Sequence, residues 1–438
     1  MFSILFSHRS MLVIKLIIFM GFFWGAMSGC EFLALQKNVK IYDQQVRLSG
    51  QLRNPSQQKK PVIVVLYQIL NNEKKILSYL VYHKPDRFQF KVLPGQYYIA
   101  AFEDANQDLI YQDSEWAAYS GPTSVITMEP DKDQLTLDLT LQPPGYSRLE
   151  EFPNLSFPTS RARLRLPEIR IGEIVELGDG RFTEEIGQLG LWEPIRFLEE
   201  IGGGLYFLEH FDPGKIPVIF IHGAGGTPNS WTHIIQRMDR DSFQPLLFHY
   251  PSGLYLDDVT ELLRQALSQI YLTHKFKKLI MVAHSMGGMV ARAEMNLATL
   301  KGRGRQFSHL LVTISTPWGG HQGAQMALDH STLGIIPSWI DMASDSPFQK
   351  KLFETLLPNT IHHYLFFSYQ GGLNPFTEGN DDGAVSISSQ LDNRAQYFAE
   401  KILGFNEDHV SILKSREMIS QLNEIFYTFK HMKLEPKK

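Results

Sequence analysis

Lys278-Leu279-Ile280-Met281-Val282-Ala283-His284-Ser285-Met286-Gly287-Gly288 is the stretch on which the fold turns. Leu279 to Ala283 is an unbroken apolar run, short and β-rich, which reads as a strand buried on both faces. It enters Ser285 without an intervening loop, and a helical segment follows. A strand that meets a helix across one serine must turn so sharply that its neighbours are small. Ala283 and Gly287 supply the clearance, and Ser285 is pushed out above the strand end in a strained conformation.

The pattern repeats on either side of that elbow. Leu205 to Leu208, Val218 to Ile221, Pro245 to Tyr250, His309 to Ser315 and His363 to Ser368 all read as strands. Between them, Val259, Leu262, Leu263, Ala266, Leu267 and Ile270 fall on one face of a helix, with Asp257 and Asp258 at its N-terminus. Strand alternating with helix predicts an α/β fold, a mostly parallel sheet flanked by helices. Reactive groups in such folds stand at the carboxyl ends of the strands. The run Val218 to Ile221 ends there in His222-Gly223-Ala224-Gly225-Gly226, a loop able to approach a substrate closely.

A serine hydroxyl needs a base to take its proton and a third group to orient that base. Ala283-His284-Ser285-Met286-Gly287 resembles the nucleophile elbow of α/β-hydrolases, with Ala where the first Gly is usual. Asn380-Asp381-Asp382-Gly383-Ala384-Val385 resembles the Asp-Gly-x-Val acid loop of lipases and esterases, which favours Asp382 over its neighbour Asp381. Asp408-His409-Val410-Ser411-Ile412 resembles the family's histidine loop. The resemblance spans 186–438 and lies toward the lipase and GPI-inositol-deacylase-like branch. It implies an α/β-hydrolase fold and a triad of Ser285, His409 and Asp382 in the family's chain order. It also implies an oxyanion hole from the amides of Ala224 and Met286, with Thr316-Pro317-Trp318-Gly319-Gly320 shaping the pocket wall. His222, His249, His284 and His321 read as structural or pocket-lining, and neither a metal nor a cofactor is expected.

Between Gly320 and Pro358, the residues Leu333, Ile335, Ile336, Trp339, Ile340 and Met342 form an apolar cluster interrupted by Pro337. Two readings stand open for this cap at 320–358: a lid that meets acyl chains, or a cover over the core.

Composition bounds the rest. The chain has 438 residues, 43% hydrophobic, with a net charge of −4, so it is long enough for two or three domains and not a basic nucleic-acid binder. Its single cysteine, Cys30, excludes an internal disulfide and a cysteine-built zinc site. Residues 1–29 combine Arg9 and Lys15, the apolar run Leu16 to Met27, and Ser28-Gly29 before Cys30, which describes a secretory signal. Met27-Ser28-Gly29-Cys30 resembles the bacterial lipobox, which implies lipidation of Cys30. The expected location is then the cell envelope, anchored to a membrane, with Glu31 favouring the outer one. A tether over 30–38 follows.

Residues 39–142 read as a β-sandwich domain. Leu135, Leu137, Leu139 and Leu141 alternate with polar residues, Pro61 to Ile69 and Ile76 to Tyr82 are strands, and Phe88 to Val92 and Gln96 to Phe102 flank a hairpin signal at Pro94-Gly95. Leu93 to Phe102 resembles transthyretin-like, carboxypeptidase-regulatory modules, which suggests a fold and no activity. Asp104, Asn106, Asp108 and Glu115 take positions 1, 3, 5 and 12 of a calcium loop, but Leu109 stands where glycine is required, and a solvated turn is the competing reading. Five prolines between Pro143 and Pro167 mark a linker over 143–185. In it Arg161, Arg163 and Arg165 form either a solvated strand face or a contact for anionic headgroups.

The expected activity is hydrolysis of a carboxylic ester, with a lipid or ester as substrate. Thioester hydrolysis or acyl transfer on the same residues is one alternative. An inert envelope scaffold, with a partner bound to the sandwich, is another.

Overall fold

The computed structural model describes residues 35–433 except 38, 42, 57, 59, 71–72, 83–86, 107–110, 120–124, 131, 133–134, 146–168, 301–307, 331–334, 358–359 and 372–378. The signal, Cys30, Asp108, Leu333 and the three linker arginines lie outside the described residues.

The N-terminal unit is a two-layer β structure. β1 (Val46–Arg53), β4 (Arg87–Val92) and β8 (Leu135–Thr140) form one sheet in the order β4-β1-β8. β2 (Val62–Leu70), β3 (Glu73–Tyr82), β5 (Gly95–Glu103) and β6 (Ala117–Tyr119) form the other as β3-β2-β5-β6, with β7 (Ile126–Met128) on β5. Leu48, Phe88, Val64, Leu66 and Ile99 meet in a shared core between the layers. The hairpin expected at Pro94-Gly95 is a correction. β4 pairs with β1 and β5 pairs with β2, so the turn carries the chain from one sheet to the other. Turn residues permit a reversal, but side-chain burial chooses the partner strand.

The second unit is built on an eight-stranded sheet, in the order β16-β15-β14-β13-β11-β12-β10-β9. Its strands are β9 (Ile169–Ile174), β10 (Gly203–Phe207), β11 (Ile216–Ile221), β12 (Phe243–His249), β13 (Lys278–His284), β14 (Ser308–Ile314), β15 (Ile361–Ser368) and β16 (Ala399–Phe405). Only the β10–β12 pairing is antiparallel. Along the central strands successive residues pack to opposite sides: Ile219, Ile221, Met281 and Ala283 on one, Val218, Phe220, Ile280 and Val282 on the other. This two-sided burial is why these strands are continuous apolar runs rather than alternating ones. The architecture is the α/β-hydrolase fold.

Eight helices matter here: α1 (Glu184–Trp192), α2 (Pro194–Glu200), α3 (Leu256–His274), α4 (Met286–Leu300), α5 (Gln322–His330), α6 (Pro337–Met342), α7 (Pro347–Glu354) and α8 (Arg416–His431). α3 carries Asp257 and Asp258 in its first turn, where the helix dipole favours them, and ends on Lys275 in a left-handed conformation. α3 and α4 cover one sheet face and α8 covers the other.

Two boundaries differ from expectation. The linker read over 143–185 gives way at Ile169, because β9 joins the sheet beside β10 and α1 begins at Glu184. Residues 39–41 are helical, not the start of the sandwich, whose first strand begins at Val46. β9 escapes sequence reading because Ile169, Ile171 and Ile174 are separated by Arg170, Gly172 and Glu173 at an edge. The two units meet on α3. Ile63 and Val65 share a cluster with Leu272, Lys91 pairs with Asp258 at 2.7 Å, and Arg264 lies over the Tyr82 ring.

Candidate active site

The chain passes from β11 to β12 on one side and from β13 onward to the other, so the carboxyl ends of β11 and β13 flank the point where the sheet order reverses. Crevices form there in open α/β sheets. Ser285 stands at the end of β13 with φ +53°, a left-handed conformation that costs a non-glycine residue on the order of 1–3 kcal/mol. Its amide donates to Ile314 O at 2.8 Å, and α4 starts at the next residue. The small neighbours are required as expected: a Cβ at Gly287 would lie 2.5 Å from Ile221 O and 2.6 Å from His222 O. Gly288 is equally constrained by the Thr316 side chain, 2.1 Å from its would-be Cβ.

Three residues distant in sequence converge on one line of hydrogen bonds. His409 Nε2 lies 3.0 Å from Ser285 Oγ, and His409 Nδ1 lies 2.8 Å from Asp382 Oδ2. Asp382 is fully buried and receives more than the histidine. Ser368 Oγ donates to Oδ2 at 2.6 Å and Gln390 Nε2 at 3.0 Å, while the amides of Val385 and Ala384 donate to Oδ1. Burial pushes its pKa up, but the bond and charge of His409, with Ser368 and the Val385 amide, outweigh it and hold the carboxyl below its ordinary range. Asp381 faces its own loop and accepts from the Gly383 amide at 2.9 Å.

The loop after β11 closes against Ser285. A Cβ at Gly223 would come 2.8 Å from Ser285 Cβ, so only glycine lets the loop sit this close. Gly225 adopts φ +65° and its amide donates to Ser252 Oγ at 2.9 Å. α1 packs on the loop from outside, where a Cβ at Gly187 would meet Gly225 O at 2.4 Å. Ala224 stands in this loop between Gly223 and Gly225. Met286 is the first residue of α4, so its N–H has no partner within the helix.

The histidines expected to be structural occupy defined places. His222 stacks on Tyr250 with ring centroids 4.2 Å apart, and burial pushes its pKa down to about 4. His249 bonds the Arg181 carbonyl and is also held neutral by burial. His284 Nε2 lies 2.7 Å from His409 O, which fixes the histidine loop from below; burial first, then the His409 charge, pushes its pKa down to about 3. His321 accepts from the Ala324 amide through Nδ1, and burial lowers it to about 4.

Sequence reasoning missed Ser368, Gln390 and Ser315. Ser315 Oγ lies 2.6 Å from Ser368 Oγ and so extends the chain behind Asp382. Ser368 and Ser315 each stand at the end of a predicted strand, the one signal that pointed to them. Trp318, in the segment expected to shape the pocket wall, is fully buried against Phe353 and His363. For the cap, Ile336 and Met342 are buried, and Met342 belongs to the core cluster with Phe348 and Leu352. Met342 covers the core, while Ile336 packs with Leu191.

In the sandwich loop, Glu115 accepts from the amides of Ala105 at 2.7 Å and Gln112 at 3.0 Å. Its carboxylate ties the turn together. Among the described residues no group of three or more His, Cys, Asp or Glu side chains is arranged to hold a metal ion.

Residues 248–428 match the family model of the PGAP1-like alpha/beta domain, a stretch containing Ser285, Asp382 and His409. No curated protein matches the chain by sequence. Among solved structures, the mature Bacillus licheniformis lipase BlEst2 is 19% identical, with a TM-score of 0.39 over 51% of this chain and 95% of its own. The lin2722 product of Listeria innocua is 17% identical, TM-score 0.37, over 50% and 96%. Phospholipase PlaB of Legionella pneumophila, solved with thio-NAD, is 18% identical, TM-score 0.34, over 40% and 44%.

Proposed function

On the premise of a lipase- and esterase-like α/β-hydrolase, we propose that this chain cleaves carboxylic esters through an acyl-enzyme at Ser285. The observation that carries the reading is the unbroken line Ser285 Oγ, His409 Nε2, His409 Nδ1, Asp382 Oδ2, with contacts of 3.0 and 2.8 Å. Ser285 Oγ attacks the ester carbonyl carbon while His409 Nε2 takes its proton. Asp382 orients the imidazole and stabilises the imidazolium. Charge that develops on the carbonyl oxygen is met by the amides of Ala224 and Met286. The imidazolium returns its proton to the leaving alkoxide, and a water activated by His409 then releases the acid from Ser285.

Cys30 carries the lipid anchor in this reading, and the enzyme works at the surface of a membrane of the cell envelope. The Met27-Ser28-Gly29-Cys30 ending after an apolar run supports that placement. No helix among the described residues is long and apolar enough to cross a membrane. The test is hydrolysis of p-nitrophenyl esters from acetyl to palmitoyl, with Ser285→Ala in parallel, and covalent labelling by a fluorophosphonate. Activity and label that disappear together in the variant support the reading. Equal rates in a folded variant and its parent overturn it.

A further inference from the structure

The described residues between Leu35 and Asp43 pack beside the loop that carries Ala224. Residues 35–37, 39–41 and 43 are helical. Leu35 is buried in one cluster with Leu191 of α1 and Ile336 at the start of α6, and Val39, Trp192 and Trp339 pack against it. The rings of Trp192 and Trp339 meet edge-on, their centroids 6.0 Å apart. At the far end of the segment, Asp43 comes within electrostatic reach of Tyr255, just before α3.

This cluster borders the catalytic loop. A Cβ at Gly225 would come 3.5 Å from Leu191 Cδ2, so the cluster that buries Leu35 reaches the loop that carries Ala224. Cys30 precedes Leu35 by five residues, which extend over at most about 18 Å. Docking through Leu35 and Val39 fixes where that reach begins on the domain, beside the loop that carries Ala224. Large apolar side chains next in the chain to site residues stay exposed as well: Val410 follows His409 and Tyr369 follows Ser368.

We propose that the helical residues docked through Leu35 and Val39 form a strap that holds the mouth of the Ser285 site against the bilayer carrying the Cys30 anchor, so that the substrate is an acyl lipid of that same bilayer. The inference rests on the hydrolase reading and the lipidation of Cys30. It adds a committed occupant for the rim, the lipid surface, and a structural cause for its orientation.

The test uses the full lipidated chain in vesicles of phosphatidylethanolamine and phosphatidylglycerol containing a trace of fluorescent-acyl phosphatidylethanolamine. Two variants separate docking from anchoring. Leu35→Ser with Val39→Ser removes the contact. An insertion of about twenty Gly and Ser residues between Glu31 and Phe32 keeps the contact and adds roughly 25 Å of reach. Each variant is expected to lower release of the fluorescent acyl chain about ten-fold while hydrolysis of soluble p-nitrophenyl butyrate is unchanged, because the variants change local substrate concentration and not chemistry. Release at the parent rate from the insertion variant overturns the strap, even if the double variant fails to fold. Retention of both activities by Ser285→Ala overturns the hydrolase reading beneath it instead.

Discussion

The two units solve the same burial problem and spend their polar residues differently. Among the described residues of the sandwich, Glu103, Asp104 and Glu115 are the buried charged groups, and Glu103 and Glu115 bind backbone amides of nearby turns. In the hydrolase unit, His284, Ser315, Ser368, Asp382 and Gln390 are buried together at the carboxyl edge of one sheet; Ser315, Ser368, Gln390 and Asp382 are bonded into a line that runs through His409 to Ser285, and His284 bonds the His409 carbonyl. A closed sandwich has polar groups where its chain must turn. A parallel sheet whose order reverses gathers several strand ends at one place, and chemistry collects there.

The contrast breaks most directly at Ser285. Replacement by Ala is expected to lower kcat by on the order of 10⁴- to 10⁶-fold, read as single-turnover ester hydrolysis. Asp382→Asn, which keeps shape but presents the wrong partner to His409 Nδ1, is expected to cost on the order of 10⁴-fold in kcat with the far-ultraviolet spectrum intact. A similar loss from Asp381→Asn would mean that the wrong carboxylate has been assigned.

Acid sharpens the comparison through stability. Burial holds His284 at about 3 and His222 at about 4, below the unfolded value near 6.5. The unfolded chain therefore binds more protons between those limits. The stabilisation is complete above pH 6.5 and is lost as pH falls toward the folded values. From pH 6.5 to 4.5 two such groups remove up to about 5 kcal/mol. Hydrogen exchange should show protection of β11 and β13 falling over this range while β1 and β5, in a unit without histidine among its described residues, change little. Equal losses in both units would refute this assignment.

Smaller effects test the supporting residues. Ser368→Ala removes one donor to a buried carboxylate, worth about 1.5 kcal/mol, so kcat should fall roughly ten-fold with KM unchanged. Glu115→Gln puts an amide against an N–H donor in the sandwich turn and should cost about 1 kcal/mol of stability in a urea titration, with kcat unaltered. A loss of kcat in that variant would give the sandwich a part in the chemistry.

Much of the molecule was legible in local pattern. The strand before Ser285 is read from its apolar run, and the sharp turn from Ala283 and Gly287. The strands around Val218, Pro245 and His309 follow the same logic. What local pattern hid has a common cause. β9 is an edge strand with one apolar row, and the partners of β4 and β5 depend on two sheets closing over one core. Ser368 and Gln390 carry no signature, because a serine or glutamine becomes a carboxylate's partner only when another strand end arrives beside it.

The sequence by itself determined where the chain must turn and which residues are candidates for the chemistry, since steric clearance at Gly287 and five-residue apolar runs are local facts. Tertiary structure decided which groups meet: it placed Asp382 and not Asp381 against His409, packed His284 beneath the histidine loop, and laid Leu35 against Leu191 and Ile336. Those contacts join residues far apart in the chain, and they exist only because burying both faces of one sheet forces its loops to converge.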